Sequence, residues 1–96
     1  MIKLICKAVV FYSLGDEDLF FEGIKRIKSI QKIEGVHDEL HLYVKSKNIL
    51  RKDLMNLIAL FYRYKIDMKQ LSLFLNKKNE KWFKESKGYW VKEIFG

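Results

Sequence analysis

Apolar and polar positions change period several times along this chain, and each change marks an element. Lys3 to Tyr12 is mostly Leu, Ile, Val and Phe, the near-continuous apolar run of a central strand. Ser13-Leu-Gly-Asp breaks it, and Asp16, Glu17 and Asp18 then crowd the start of a helix, where carboxylates suit the positive end of the dipole. That helix points Phe20, Ile24 and Ile27 inward and Lys25 and Lys28 outward. Gly23 within it costs up to about 1 kcal/mol relative to Ala, which suggests a close backbone approach.

Ile30 to Glu34 and Glu39 to Lys45 predict a hairpin around a turn at Gly35 to Asp38. In its second strand Leu40, Leu42 and Val44 alternate with His41, Tyr43 and Lys45, so one face is wet. The next element is the most informative. From about Ile49 or Leu50 to Tyr64 the chain is helical, with a core stripe of Leu50, Leu54, Leu57, Ile58 and Phe61. Met55, Ala59 and Tyr62 form a second stripe beside it, and Leu60 and Tyr64 extend that further round. A helix this apolar is either buried from several sides or left with surface that wants a partner.

Leu71, Leu73 and Leu75 alternate with Gln70, Ser72 and Phe74 and predict a fourth strand. Asn76 to Lys87 predicts a helix with Trp82 against the core and Gly88 as its C-terminal cap, and Tyr89 to Phe95 fits strand and helix equally. The order is that of an α/β (α+β) fold, a ferredoxin-like βαββαβ sandwich with a C-terminal helical addition. It fills one domain, residues 1–96, with four antiparallel strands and helices on one face.

Composition supports a packed core: 49% of residues are hydrophobic and 15% aromatic, and there is no Pro. The longest uncharged runs, Ala8 to Gly15 and Leu54 to Tyr62, fall well short of the roughly 20 residues of a membrane span. Lys3 and Lys7 interrupt any signal-peptide core, and a lone Cys fits a reducing compartment, so a cytoplasmic location is expected.

The net charge of +7 is lopsided. Residues 1–48 hold eight Lys/Arg against seven Asp/Glu, and residues 49–96 hold eleven against five. A basic half attracts polyanions or an acidic protein surface. A chain rich in Lys, Ile, Asn and Phe is also what an AT-rich genome produces.

Candidate chemistry is sparse. His37-Asp-Glu-Leu-His41 has the spacing of a helical zinc pair, but its context is a turn entering a strand. On a strand the two rings would stand about 13 Å apart, too far for one ion. Cys6 has the apolar neighbours of a packed thiol, and Asp16, Glu17, Asp18 and Glu22 are explained mainly by the helix start. No phosphate loop, triad, metal cluster or cofactor motif is present, so no enzyme is expected.

Arg63, Lys65, Lys69, Lys77, Lys78 and Lys81 are interleaved with Tyr62, Tyr64 and Trp82, and further Lys with Tyr89 and Trp90. Such mixtures are ordinarily a solvated face over core aromatics. They also suit single-stranded nucleic acid, with phosphates on Lys and bases on rings, or a protein interface.

Val10-Phe-Tyr-Ser, Asp16-Glu-Asp with Phe20-Phe21, and Leu57-Ile-Ala-Leu-Phe-Tyr-Arg-Tyr followed by Ile66-Asp-Met-Lys-Gln-Leu carry a resemblance. Lys81-Trp-Phe and Trp90-Val-Lys-Glu-Ile-Phe-Gly complete it. The chain resembles small bacterial toxin-immunity proteins, including the immunity partners of contact-dependent growth inhibition toxins. The resemblance implies a protein that binds and neutralises a cognate toxin domain and carries no catalytic residues. The expected anchors are Tyr62, Arg63 and Tyr64, with Asp16, Glu17 and Asp18 as charge complements to a basic toxin cleft. The alternative is an RNA or single-strand-binding module using the basic C-terminal half, and a homodimer burying the second stripe is a third reading.

Overall fold

In a computed structural model describing residues 1–96, the first strand, β1, runs Ile2–Lys7 and stops where Ala8 takes a left-handed backbone (φ 50). Helix α1 (Leu14–Lys25) follows, then β2 (Ile30–Val36), β3 (Glu39–Val44) and helix α2 (Arg51–Arg63). A 3-10 helix, Lys69–Phe74, and two short helices, α3 (Glu80–Phe83) and α4 (Val91–Phe95), complete the chain. The protein is an α+β molecule with a three-stranded antiparallel sheet and several helices.

The sheet order is β1-β3-β2, so β3 is central and β1, expected to be central, lies at an edge. Its apolar run reaches past the strand because Val9 and Phe11 pack over the core from the loop that follows. Leu4 faces Leu42, and Cys6 faces Leu40, on the side covered by the helices. Ile5, His41 and Tyr43 occupy the other side, which is drier than the alternation predicts: Ile5 and Tyr43 are half-buried and His41, paired to Glu39, is buried. The hairpin turn is His37-Asp38, tighter than expected, with Gly35 paired to Leu40 inside the ladder.

Helix α1 begins as its sequence dictates. Ser13 Oγ accepts from the Asp16 N–H (3.1 Å), and Asp16 Oδ2 accepts from the Tyr12 N–H (3.1 Å). Phe20, Ile24 and Ile27 are buried. A Cβ at Gly23 would lie 3.2 Å from Leu60 Cδ1, so the glycine does mark the close approach of α1 and α2.

Leu54, Leu57, Ile58 and Phe61 of α2 are fully buried, each contributing about 2 kcal/mol by leaving water. Leu50 departs from its expected place in this stripe. It is the extended N-cap residue, just before the helical turn begins, and it is exposed. Asp53 at the first turn is buried and accepts from the Ser29 N–H (3.1 Å) and Oγ–H (2.6 Å), fastening the α1–β2 loop to α2. The C-terminus is a Schellman turn: Lys65 is left-handed (φ 56), and the N–H of Ile66 donates to the Phe61 carbonyl (2.9 Å).

The predicted fourth strand is instead the 3-10 helix Lys69–Phe74. Its buried side chains are Leu71 and Phe74, continuing Met68 at a spacing of three, while Leu73 is exposed. Its Gln70 does part of a strand's work: Oε1 accepts from the Ile5 N–H (2.8 Å) and Nε2 donates to the Ile5 carbonyl (2.9 Å). The long helix expected from Asn76 is reduced to α3; Asn76 Oδ1 accepts from the N–H groups of Lys78 and Asn79 (both 2.9 Å), capping the turn that leads into it.

Phe83, rather than Trp82, is the fully buried ring of α3; Trp82 is half-buried beneath the Arg51 guanidinium (4.9 Å). Gly88 lies four residues beyond the α3 cap Lys84 and serves a different purpose from capping. A Cβ there would stand 2.6 Å from the Trp90 ring. The ambiguous tail is helix α4. No helix is long and apolar enough to cross a membrane.

Candidate functional site

Of the expected site residues, Tyr62, Arg63, Tyr64 and Asp16 meet where α2 ends against α1, while Glu17 faces the hairpin turn; those at the junction divide into inward and outward groups. Tyr64, the C-cap of α2, turns inward. Its Oη lies 3.3 Å from both the carbonyl and Oδ1 of Asp16, and its ring meets Phe20 edge-on at 4.9 Å and Phe11 at 6.1 Å. Burial, reinforced by the Asp16 carboxylate, pushes the Tyr64 phenol pKa up. Asp16 thus holds the Tyr12 amide and the Tyr64 hydroxyl together. Glu17 is half-buried, and Asp18 alone of the acidic trio is exposed. Asp16 and Tyr64 fix the α1–α2 junction.

Tyr62 and Arg63 face outward. Tyr62 is 51% exposed and stacks edge-on against Tyr89, also 51% exposed, with centroids 4.8 Å apart. Tyr89 leans in turn on the buried Trp90 (5.1 Å), whose Nε1–H donates to the Phe83 carbonyl (2.7 Å). The outer ring pair is therefore held by an anchored third ring. Tyr89 has its phenol pKa raised, chiefly by burial and then by neighbouring Tyr62.

Three surface grooves converge on Arg63. One of about 830 Å³ lies along Tyr62, Tyr89, Lys65 and Met68. A second, about 780 Å³, runs between α1 and α2, and a third, about 380 Å³, opens beside Tyr12 and Asp16. Arg63 is exposed and has no carboxylate partner, since the ion pairs in the molecule are Lys32–Glu34 and His41–Glu39. Met55 and Ala59, the rest of the second stripe, continue from Tyr62 along the outside of α2, half-exposed.

Tyr89, named in the sequence only among the rings interleaved with Lys, was not expected beside the anchors. Its contact with Tyr62 bridges 27 positions, and only the separation of Tyr89 from the preceding helix by Gly88 hinted that it does not follow a core period.

The remaining candidates have other surroundings. Burial pushes the Cys6 thiol up to about 12, which leaves it protonated and unreactive near neutrality. His37 occupies the hairpin turn with a left-handed backbone (φ 58). His41 lies on the sheet face away from the helices but is buried, with Nε2 2.9 Å from Glu39 Oε1. No group of three or more His, Cys, Asp or Glu side chains surrounds either histidine or stands elsewhere in a position to hold a metal ion. Comparison with protein-family models, with curated proteins and with solved structures gave no match.

Proposed function

We propose that this chain is an immunity-type inhibitor that acts in the cytoplasm, binding one cognate bacterial toxin domain and blocking it. The observation that carries the reading is the exposed Tyr62–Tyr89 pair beside the unpaired Arg63, at the meeting point of three grooves. Tyr and Arg are the usual anchors of protein interfaces, and rings braced from behind lose little freedom on binding. The sequence resemblance to immunity proteins supports the same reading. The β1-β3-β2 order with helices on one face we read as a ferredoxin-like sandwich whose fourth strand is replaced by a 3-10 helix, a fold that carries no function by itself.

In this reading the anchors are Tyr62, Arg63 and Tyr89, with Tyr64 and Asp16 positioning them. The test is co-expression with the variable C-terminal domain of a large secreted protein encoded immediately upstream. Wild type should rescue growth, and Tyr62→Ala with Arg63→Ala should abolish rescue while leaving the fold intact. Equal killing with and without the wild-type protein would overturn the reading.

A second reading has its own support in the same groove. Tyr62 and Tyr89 with Arg63, Lys65 and Lys69 combine rings and cations as single-stranded nucleic acid requires. It calls for oligonucleotide binding at near-physiological salt, with a log–log salt slope of about 0.7 per phosphate contact.

A further inference from the structure

The groove between α1 and α2 carries a second set of features. Lys25, Arg26 and Lys28 line one wall, Lys52 and Arg63 the other, against the single carboxylate of Glu22. All five cations are exposed, and none belongs to either of the two ion pairs. Helix electrostatics explain Lys25, which sits in the last turn of α1, where a cation is favoured. They do not explain Lys52. It occupies the first turn of α2, at the positive end of that dipole, and the nearby Asp53 carboxylate is directed to Ser29.

The groove also has an apolar component. Leu19 is 66% exposed at its rim, Ala59 and Leu60 line it, and Leu60 packs against Gly23 at its floor. No aromatic ring lines it, so it offers phosphates neutralisation but gives bases nothing to stack on.

Resting on the reading of this chain as a protein-directed inhibitor, we propose that the α1–α2 groove docks an acidic amphipathic helix of the partner protein. Its carboxylates would meet Lys25, Arg26, Lys28, Lys52 and Arg63, and its apolar side would lie on Leu19 and Ala59. The groove assigns the partner's sign. The internal attachment of Asp16 removes the centre of the acidic patch from the surface, while the basic groove stays open, so the partner's contacting surface is acidic.

The probe is a fluorescein-labelled amphipathic peptide of Glu and Leu, titrated by fluorescence anisotropy at physiological salt, with oligouridylate as competitor. Saturable binding is expected, with about a tenfold loss in Lys25→Glu/Lys52→Glu. Lys77→Glu/Lys78→Glu, which changes net charge equally away from the groove, should leave binding intact. Circular dichroism of both variants verifies the fold, and Lys25→Gln/Lys52→Gln repeats the test without introduced carboxylates. No saturable binding, equal loss in both reversal pairs, or displacement by equimolar oligouridylate would each overturn the proposal. If the peptide binds as expected but no toxin domain is neutralised, the immunity reading fails and the groove assignment stands. The opposite pair of results sinks the groove alone.

Discussion

The first two-thirds of the molecule and the last third are held together by different means. From β1 to α2 the fold rests on strand ladders and two helices of 12 and 13 residues. From Ile66 onward the longest element is a six-residue 3-10 helix, and α3 and α4 have four and five residues. Yet eleven of the twenty side-chain hydrogen bonds involve this last third, those of Gln70, Asn76, Asn79 and Trp90 among them. Where backbone cannot pair with backbone, side chains must satisfy it, and each such residue becomes individually important. Arg63, Tyr62 and Tyr89 lie on the seam between the two regimes.

The largest expected effect breaks the irregular region at its core. Phe83→Ala should cost about 3–5 kcal/mol in urea denaturation, and half-buried Trp82→Ala about 1–2 kcal/mol. Equal costs would mean that α3 is rotated from the orientation described. Next comes the bridge between the regions. Gln70→Ala leaves the N–H and carbonyl of Ile5 without partners and should cost about 2 kcal/mol. Hydrogen exchange should then quicken at the Ile5 amide far more than at Leu4, and equal protection in both proteins would show that the side chain does not close this edge.

Lys65→Gly sharpens the comparison in the other direction. It relieves the left-handed strain at the end of α2 and should stabilise by about 1 kcal/mol, readable as a higher midpoint; a loss would mean that the Lys65 side chain matters more than its backbone. The smallest effect belongs to the sheet face away from the helices. The hydrogen bond from His41 holds the Glu39 carboxyl below its ordinary pKa. A depressed carboxyl stabilises fully above its unfolded pKa, and that contribution disappears as pH falls through the folded value. Glu39→Gln should therefore lower stability slightly at neutral pH and flatten the acid limb, leaving stability unchanged in acid where Glu39 is already protonated; a pH series of urea midpoints that keeps its acid limb would show that the His41 contact contributes nothing.

These two regimes also explain what could be read from the residues alone. The hairpin, α1 and α2 announced themselves through sustained periods of two and 3.6, together with the Ser13–Asp16 start signal. The 3-10 helix was mistaken for a strand because Leu71, Leu73 and Leu75 do alternate; the deciding triplet Met68, Leu71 and Phe74 has a period of three, which a short segment hides. Near the site, the stripe of Met55, Ala59 and Tyr62 was legible on α2, but whether it was covered or left as surface was not. Nor was the inward turn of Tyr64, because it depends on Asp16, 48 positions away. No local pattern encodes a partner at that separation.

Gln70 on Ile5 has a last consequence, for how copies of this chain can aggregate. A sheet with two available edges is bivalent, and bivalent units can add to one another indefinitely. Here the middle of the β1 edge is occupied by a side-chain amide, leaving β2 as the one outer strand open to another chain. Assembly through the sheet is then monovalent: two copies can join along β2, and growth terminates there. Gln70 in this sense is a chain terminator for growth along the β1 edge.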